Sequence, residues 1–171
     1  VGRTNKKISR TVNSFMGFTK SCEVNGDKAS SEFLSAELVK ALPSDVKNLN
    51  LNEDDKIIRI RRVRFCNDVP VILEEAHYPR SYAYLLAEDL SGSLHEILTA
   101  HGVVLHHGQK TIGVCYATKE EAKHLDVKEN EAMILSKDIT YDINGVPVYY
   151  SKEVINAERY EFKVMTSVGE G

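Results

Sequence analysis

The chain has 171 residues, 42% of them hydrophobic, with a formal net charge of −3 and a pI of about 6.1. That length suits one domain with a sizeable core, and the acidic balance argues against a nucleic-acid-binding surface spread over the chain. No apolar run approaches the roughly 18 residues of a membrane helix, and no signal-peptide pattern opens the chain. Cys22, Cys66 and Cys115 lie far apart without a CxxC pair, and their odd number argues against a disulfide framework. They read as unpaired, packed thiols in a reducing cytoplasm.

Residues 1–13, VGRTNKKISRTVN, are polar and basic without apolar periodicity, so they read as a linker or arm. As a tether they would join this domain to something before it; a basic arm could also touch nucleic acid. Phe15, Met16 and Phe18 then lead into a short helix that ends at Asn25-Gly26. Residues 30–41 fit a helix or a strand. Pro43-Ser44-Asp45 opens a short helix ending near Leu49. Residues 56–65 read as a strand, Asn67-Asp68 as a tight turn, and residues 69–78 as the returning strand.

Residues 89–93 form a loop before a helix over 94–100, where Ser93 and Glu96 have capping-box spacing. Residues 103–117 read as a long strand, interrupted by Gly108 and bulged near Gly113. Thr118 and Glu121 cap a helix through Leu125. Strands over 132–141 and 146–155 flank the hairpin signal Asn144-Gly145, and residues 160–166 add a last strand. The sum is an α+β fold built on a mostly antiparallel sheet.

The segment KIIRIRRVRF at residues 56–65 stands out. Strand alternation puts Ile58, Ile60, Arg62 and Arg64 on one face, and Ile57, Arg59, Arg61, Val63 and Phe65 on the other. Arginines that point inward need partners. Salt bridges to carboxylates elsewhere would supply them; so would a bound phosphate or carboxylate, which suits the guanidinium fork. Ser93 at a helix start and His95 within the same first turn would add a hydroxyl, backbone amides and an imidazole to such a pocket. As plain structure, Ser93 is a cap and His95 an exposed helix residue.

Other chemistry finds little support. His106 and His107 are adjacent and point oppositely on a strand, and no HExxH or Cys/His cluster exists. No nucleophile elbow or glycine-rich phosphate loop is present. Glu74 and Glu75 are adjacent, so they face opposite ways, and alternation alone leaves either one inward.

The runs RRVRFCNDVPVILEEAHYPRS, DLSGSLHEIL, ATKEEAKHLDV and AMILSKDITYDINGVPVYYSKEVINAERYEFKV occur in that order. Together they resemble the UTRA effector-binding domain of HutC-type GntR-family transcription regulators over residues 56–164. SFMGFTKSCEVNG resembles the segment that follows the family's linker. The resemblance implies a chorismate lyase-like fold over residues 14–171 and a linker over 1–13. It also implies a winged helix-turn-helix DNA-binding domain that this chain lacks, a cytoplasmic homodimer and no cofactor.

In members that sense amino-sugar phosphates, the matching positions are Arg62, Arg64, Ser93 and His95 for the phosphate. Gly17, Phe18 and Thr19 would line the pocket, and Glu74 would touch the sugar. Two positions depart from the family: Tyr149 replaces a sugar-contacting glutamate, and Ile155 replaces a tyrosine. His95 stands for an aromatic and adds a positive charge at acidic pH. The implied effector is a small anionic, phosphorylated metabolite other than an amino sugar. It would shift the balance between dimer arrangements and so control operator binding by the full-length repressor. The alternatives are a lyase-like enzyme on the same fold, or a dimerisation module without a ligand.

Overall fold

The computed structural model of the chain describes residues 7–11 and 17–169. Two hairpins set its frame. β3 (Lys56–Cys66) and β4 (Val69–Pro79) are joined through Asn67 and Asp68, whose φ values of 49° and 63° suit a two-residue hairpin turn. β6 (Ala132–Asp142) and β7 (Pro147–Ile155) are joined by a turn in which the Asp142 carboxylate accepts from the amides of Asn144 and Val146. β2 (Ala29–Lys40) adds to β3, and β5 (Leu105–Tyr116) adds to β6. The result is a six-stranded antiparallel sheet in the order β2-β3-β4-β7-β6-β5, the α+β, chorismate lyase-like architecture expected.

Both faces of the sheet are covered. On one face α2 (Pro43–Leu49) packs Leu49 on Ile57. Beside it α4 (Lys119–Leu125) packs Ala122 and Leu125 on Val63, Leu73, Met133 and Val154. The opposite face carries two separate apolar clusters. In the first, α3 (Leu94–Ala100) and a 3-10 segment (Arg80–Ala87) lay Leu85, Leu94 and Leu98 over Ile58, Ile60, Ala76 and Tyr78. In the second, β1 (Ile8–Thr11), α1 (Phe18–Val24) and β8 (Tyr160–Lys163) lay Ile8, Phe18 and Tyr160 over Ile72 and Ile155. Between these clusters the sheet surface is polar, and that gap is the site described below.

A buried polar link ties α2 to β4. His77 Nδ1 lies 2.6 Å from Asp45 Oδ1, and Nε2 lies 3.0 Å from Glu75 Oε2. Burial pulls the imidazole down, but the two carboxylate hydrogen bonds outweigh it and hold its pKa at about 9.

Several expectations are corrected. The basic segment read as an unstructured linker contains β1, which pairs in parallel with β8 and buries Ile8. Residues 1–6 and 12–16, including Phe15 and Met16, lie outside the described residues. The ambiguous stretch over 30–41 is a strand, because β3 offers it a partner edge. Gly113 pairs regularly with Leu135; the register shift in β5 falls between Leu105 and His107 instead. The last strand stops at Lys163. The 3-10 segment after Pro79 had no sequence signal. Ser93 Oγ accepts from the Glu96 amide without the reciprocal bond, whereas Thr118 and Glu121 form the full capping box.

The cysteine reading also changes. Cys22 and Cys66 form a disulfide, with Cα atoms 6.4 Å apart, leaving Cys115 as the free thiol. An odd count excludes complete pairing, not one bridge. The bridge arises because α1 packs over the end of β3.

Candidate functional site

The polar gap is a cavity of about 930 Å³. Its floor is three rungs of the sheet. One rung runs Arg62–Glu74–Glu153–Ser136 across β3, β4, β7 and β6. The next runs Ile60–Ala76–Ser151–Asp138–Lys110, and Tyr149, Thr140 and Gly108 pair beyond it. Strand alternation therefore brings together side chains from five strands without any loop. The start of α1 and the start of α3 form the walls, supplying Gly17, Thr19, Ser93 and His95.

The two arginines of β3 play different parts. Arg62 is 1% exposed and fully engaged. Its Nε and Nη2 donate to Glu74 Oε1 at 3.0 and 2.8 Å, and Nη1 donates to the carbonyls of Leu90 and Gly92 at 3.1 and 2.6 Å. It thereby fixes the loop that delivers Ser93. Arg64 is 7% exposed and only partly engaged. Nη2 donates to Thr19 Oγ1 at 2.7 Å, Nη1 reaches Glu74 Oε2 at 3.5 Å, and Nε has no partner among the described residues. Phe18 supports this guanidinium from below, with its ring centre 5.0 Å from Cζ. Burial and the neighbouring Arg62 push the Arg64 pKa down, and Glu74 only partly restores it.

Glu74, not Glu75, faces the cavity. Burial would raise its pKa, but Arg62 and Arg64 together hold it below the ordinary carboxylate value. Glu75 lies on the other face with His77 and Arg61. Tyr149 also faces the cavity, with its hydroxyl 3.4 Å from His95 Nε2, and burial raises its pKa. His95 is not an exposed helix residue. Burial, reinforced by Arg10, Arg64 and Arg62, lowers its pKa despite Glu74, so the expected cationic imidazole requires stronger acid than an ordinary histidine. Gly17 sits beside it, where an added Cβ would make only an ordinary contact at 3.9 Å.

The candidates Arg62, Arg64, Glu74, Ser93, His95, Gly17, Thr19 and Tyr149 thus line one cavity, with Phe18 just beneath. Sequence reasoning missed Glu153, Ser151, Asp138, Lys110 and Arg10. Alternation from Tyr149 would have reached Ser151 and Glu153. Arg10 gave no signal, because its segment lacked any strand pattern. The lining as a whole carries as many carboxylates as cations, so any preference for an anion is local to Arg64 and Ser93. No group of three metal-ligating side chains occurs among the described residues.

The UTRA domain family matches residues 25–161. The chain belongs to the UTRA domain family. This UTRA domain is 25% identical over 163 residues to an uncharacterized HTH-type transcriptional regulator, YurK, of Bacillus subtilis (strain 168), covering 92% of this chain and 66% of the relative. It is also 25% identical over 158 residues to the HTH-type transcriptional repressor NagR of the same organism, covering 91% of this chain and 65% of that one. The chain spans just under two thirds of the length of these curated relatives. In fold it matches the crystal structure of the effector domain of PhnF from Mycobacterium smegmatis, with a TM-score of 0.88 at 19% identity over 94% of this chain and all of the other.

Proposed function

We propose that this UTRA domain is the sensing part of a GntR-family transcription regulator, and that it binds a small anionic metabolite at Arg64. The single observation carrying this reading is the contrast between the two arginines. Arg62 has its partners inside the protein. Arg64 is a buried cation whose Nε–H faces no acceptor among the described residues, at the wall of a cavity large enough for a metabolite. The Ser93 hydroxyl, which already accepts from the Glu96 amide, keeps its own proton free to donate to the same anion. Phosphate or carboxylate fits that fork, and a phosphorylated metabolite is the favoured class. A homodimer, cytoplasmic residence and operator binding through a separate helix-turn-helix domain complete the proposal. Binding would act by preferring one arrangement of that dimer.

Thermal-shift measurements with inorganic phosphate, phosphorylated sugars and dicarboxylates test the site. A ligand at 100 times its Kd stabilises by about 2.7 kcal/mol. Arg64→Ala should remove the shift; a shift that survives it places the anion elsewhere. A second reading, catalysis, has one observation behind it. Glu74 and Glu153 are opposite each other across β4 and β7, with pKa values moved down and up respectively. Incubation with each bound metabolite followed by mass spectrometry separates the readings, because a sensor returns its ligand unchanged.

A further inference from the structure

Buried polar groups in folded proteins nearly always have partners, so clustered exceptions carry information. Among the described residues, the buried side-chain atoms without a hydrogen-bond partner include Arg10 Nε, Arg64 Nε and Glu153 Oε2, all from residues that line the cavity. Tyr160 Oη is another; it borders the Arg10 guanidinium closely enough for a weak side-chain interaction outside strict hydrogen-bond geometry, so that side of Arg10 is partly occupied. Arg64 belongs to the anion end already described. Arg10 and Glu153 mark a different place. Glu153 is opposite Glu74 in the β4–β7 ladder, about 5 Å along the floor. Facing carboxylates repel, but Glu74 is neutralised by Arg62 and Arg64. Among the described residues Glu153 has Arg10 alone within ion-pair range, at 3.9 Å, which is too long for a hydrogen bond.

That separation suits one bridging atom. An oxygen or nitrogen within ordinary hydrogen-bond distance of both Arg10 and Glu153 closes a triangle whose third side is their present spacing. The bridging group must accept from a guanidinium and donate to a carboxylate. A second anion would be repelled by Glu153, and a cation by Arg10. We propose that Arg10 and Glu153 form a second polar subsite of the cavity, one that takes a neutral hydroxyl or primary amide on the body of an effector whose anionic end sits at Arg64. The inference rests on the proposed anion site and sharpens the effector class to a compact, hydroxylated or amide-bearing anion. It also gives β1, which carries Arg10, a direct contact with the ligand.

The test uses matched phosphates on this chain by isothermal titration: ethyl phosphate, aminoethyl phosphate, glycerol 3-phosphate and a set of hexose 6-phosphates. The best hydroxylated probe should bind at least about tenfold more tightly than ethyl phosphate. Arg10→Ala and Glu153→Ala should each bring that ratio close to one, because any change in phosphate affinity from the lost charge is common to both probes and cancels in the ratio. Should Glu153→Ala fail to fold, Glu153→Gln keeps the shape and should lower the ratio in the same direction. Backbone amide exchange over Ile8–Thr11 should slow with the hydroxylated probe and not with ethyl phosphate. A ratio unmoved by either variant, or a preference for aminoethyl phosphate, overturns the subsite. Ethyl phosphate binding that persists in Arg64→Ala overturns the anion site instead and leaves the Arg10–Glu153 result standing. If no phosphate binds the unaltered chain, both readings fall together.

Discussion

Arg62 and Arg64 are one strand repeat apart, yet they should behave differently when removed. Arg62 neutralises Glu74 and holds the carbonyls of Leu90 and Gly92. Arg62→Ala leaves a buried carboxylate short of its main partner and should destabilise the fold by about 3–5 kcal/mol in urea titrations. Arg64→Ala should cost less stability, because Glu74 keeps Arg62; equal losses would contradict the division of labour. The alternation of KIIRIRRVRF was enough to place both arginines on the inward face. It could not assign partners, because the Arg62–Glu74 pairing depends on the register of β3 against β4. Glu74 against Glu75 was undecidable for the same reason. His77 makes a separate prediction. Its folded pKa of about 9 lies above the unfolded value of roughly 6.5. Its contribution is therefore complete below about pH 6.5 and is lost as pH rises through 9, on the order of 3 kcal/mol. The stability difference between the unaltered chain and His77→Gln should shrink between pH 6.5 and 9.5.

At the level of elements, β5 is an edge strand whose two inner glycines differ. A Cβ on Gly108 would lie 2.8 Å from the Ile139 carbonyl oxygen, whereas one on Gly113 would meet nothing within 4 Å. Gly108→Ala should push β5 away from β6 and cost about 1–3 kcal/mol. Gly113→Ala should be neutral or mildly stabilising, since alanine restricts the unfolded chain more than glycine does. Thermal melts of the two variants check both outcomes, and equal effects would refute the argument. The elements that sequence made legible carry local signals: Asn67-Asp68, Asn144-Gly145, the Thr118–Glu121 box and Pro43 at the start of α2. The unread ones depend on distant partners. β1 is a strand because β8 lies beside it, and nothing in ISRT announces that.

For the molecule as a whole, the cavity exists because two apolar clusters meet the same sheet face without meeting each other. The Cys22–Cys66 bridge helps hold one of those clusters in place, joining α1 to the end of β3 across a sequence separation of 44 residues. Closing a loop of that length is worth up to about 4 kcal/mol in the chain-entropy account. The urea midpoint of the chain should fall when dithiothreitol is added, and Cys22→Ser should be insensitive to the reductant; identical midpoints in the unaltered chain would refute the link. The pairing of β1 with β8 has a mechanical side. The two strands run in the same direction, so Ile8 and Lys163 sit at opposite ends of the pair. Tension applied between the chain's two ends therefore loads it in shear, and its hydrogen bonds must yield together rather than unzip in turn. A pull on the N-terminal side would pass through β8 to the face of the six-stranded sheet at Ile72 and Ile155, with Arg10 seated on the load-bearing strand.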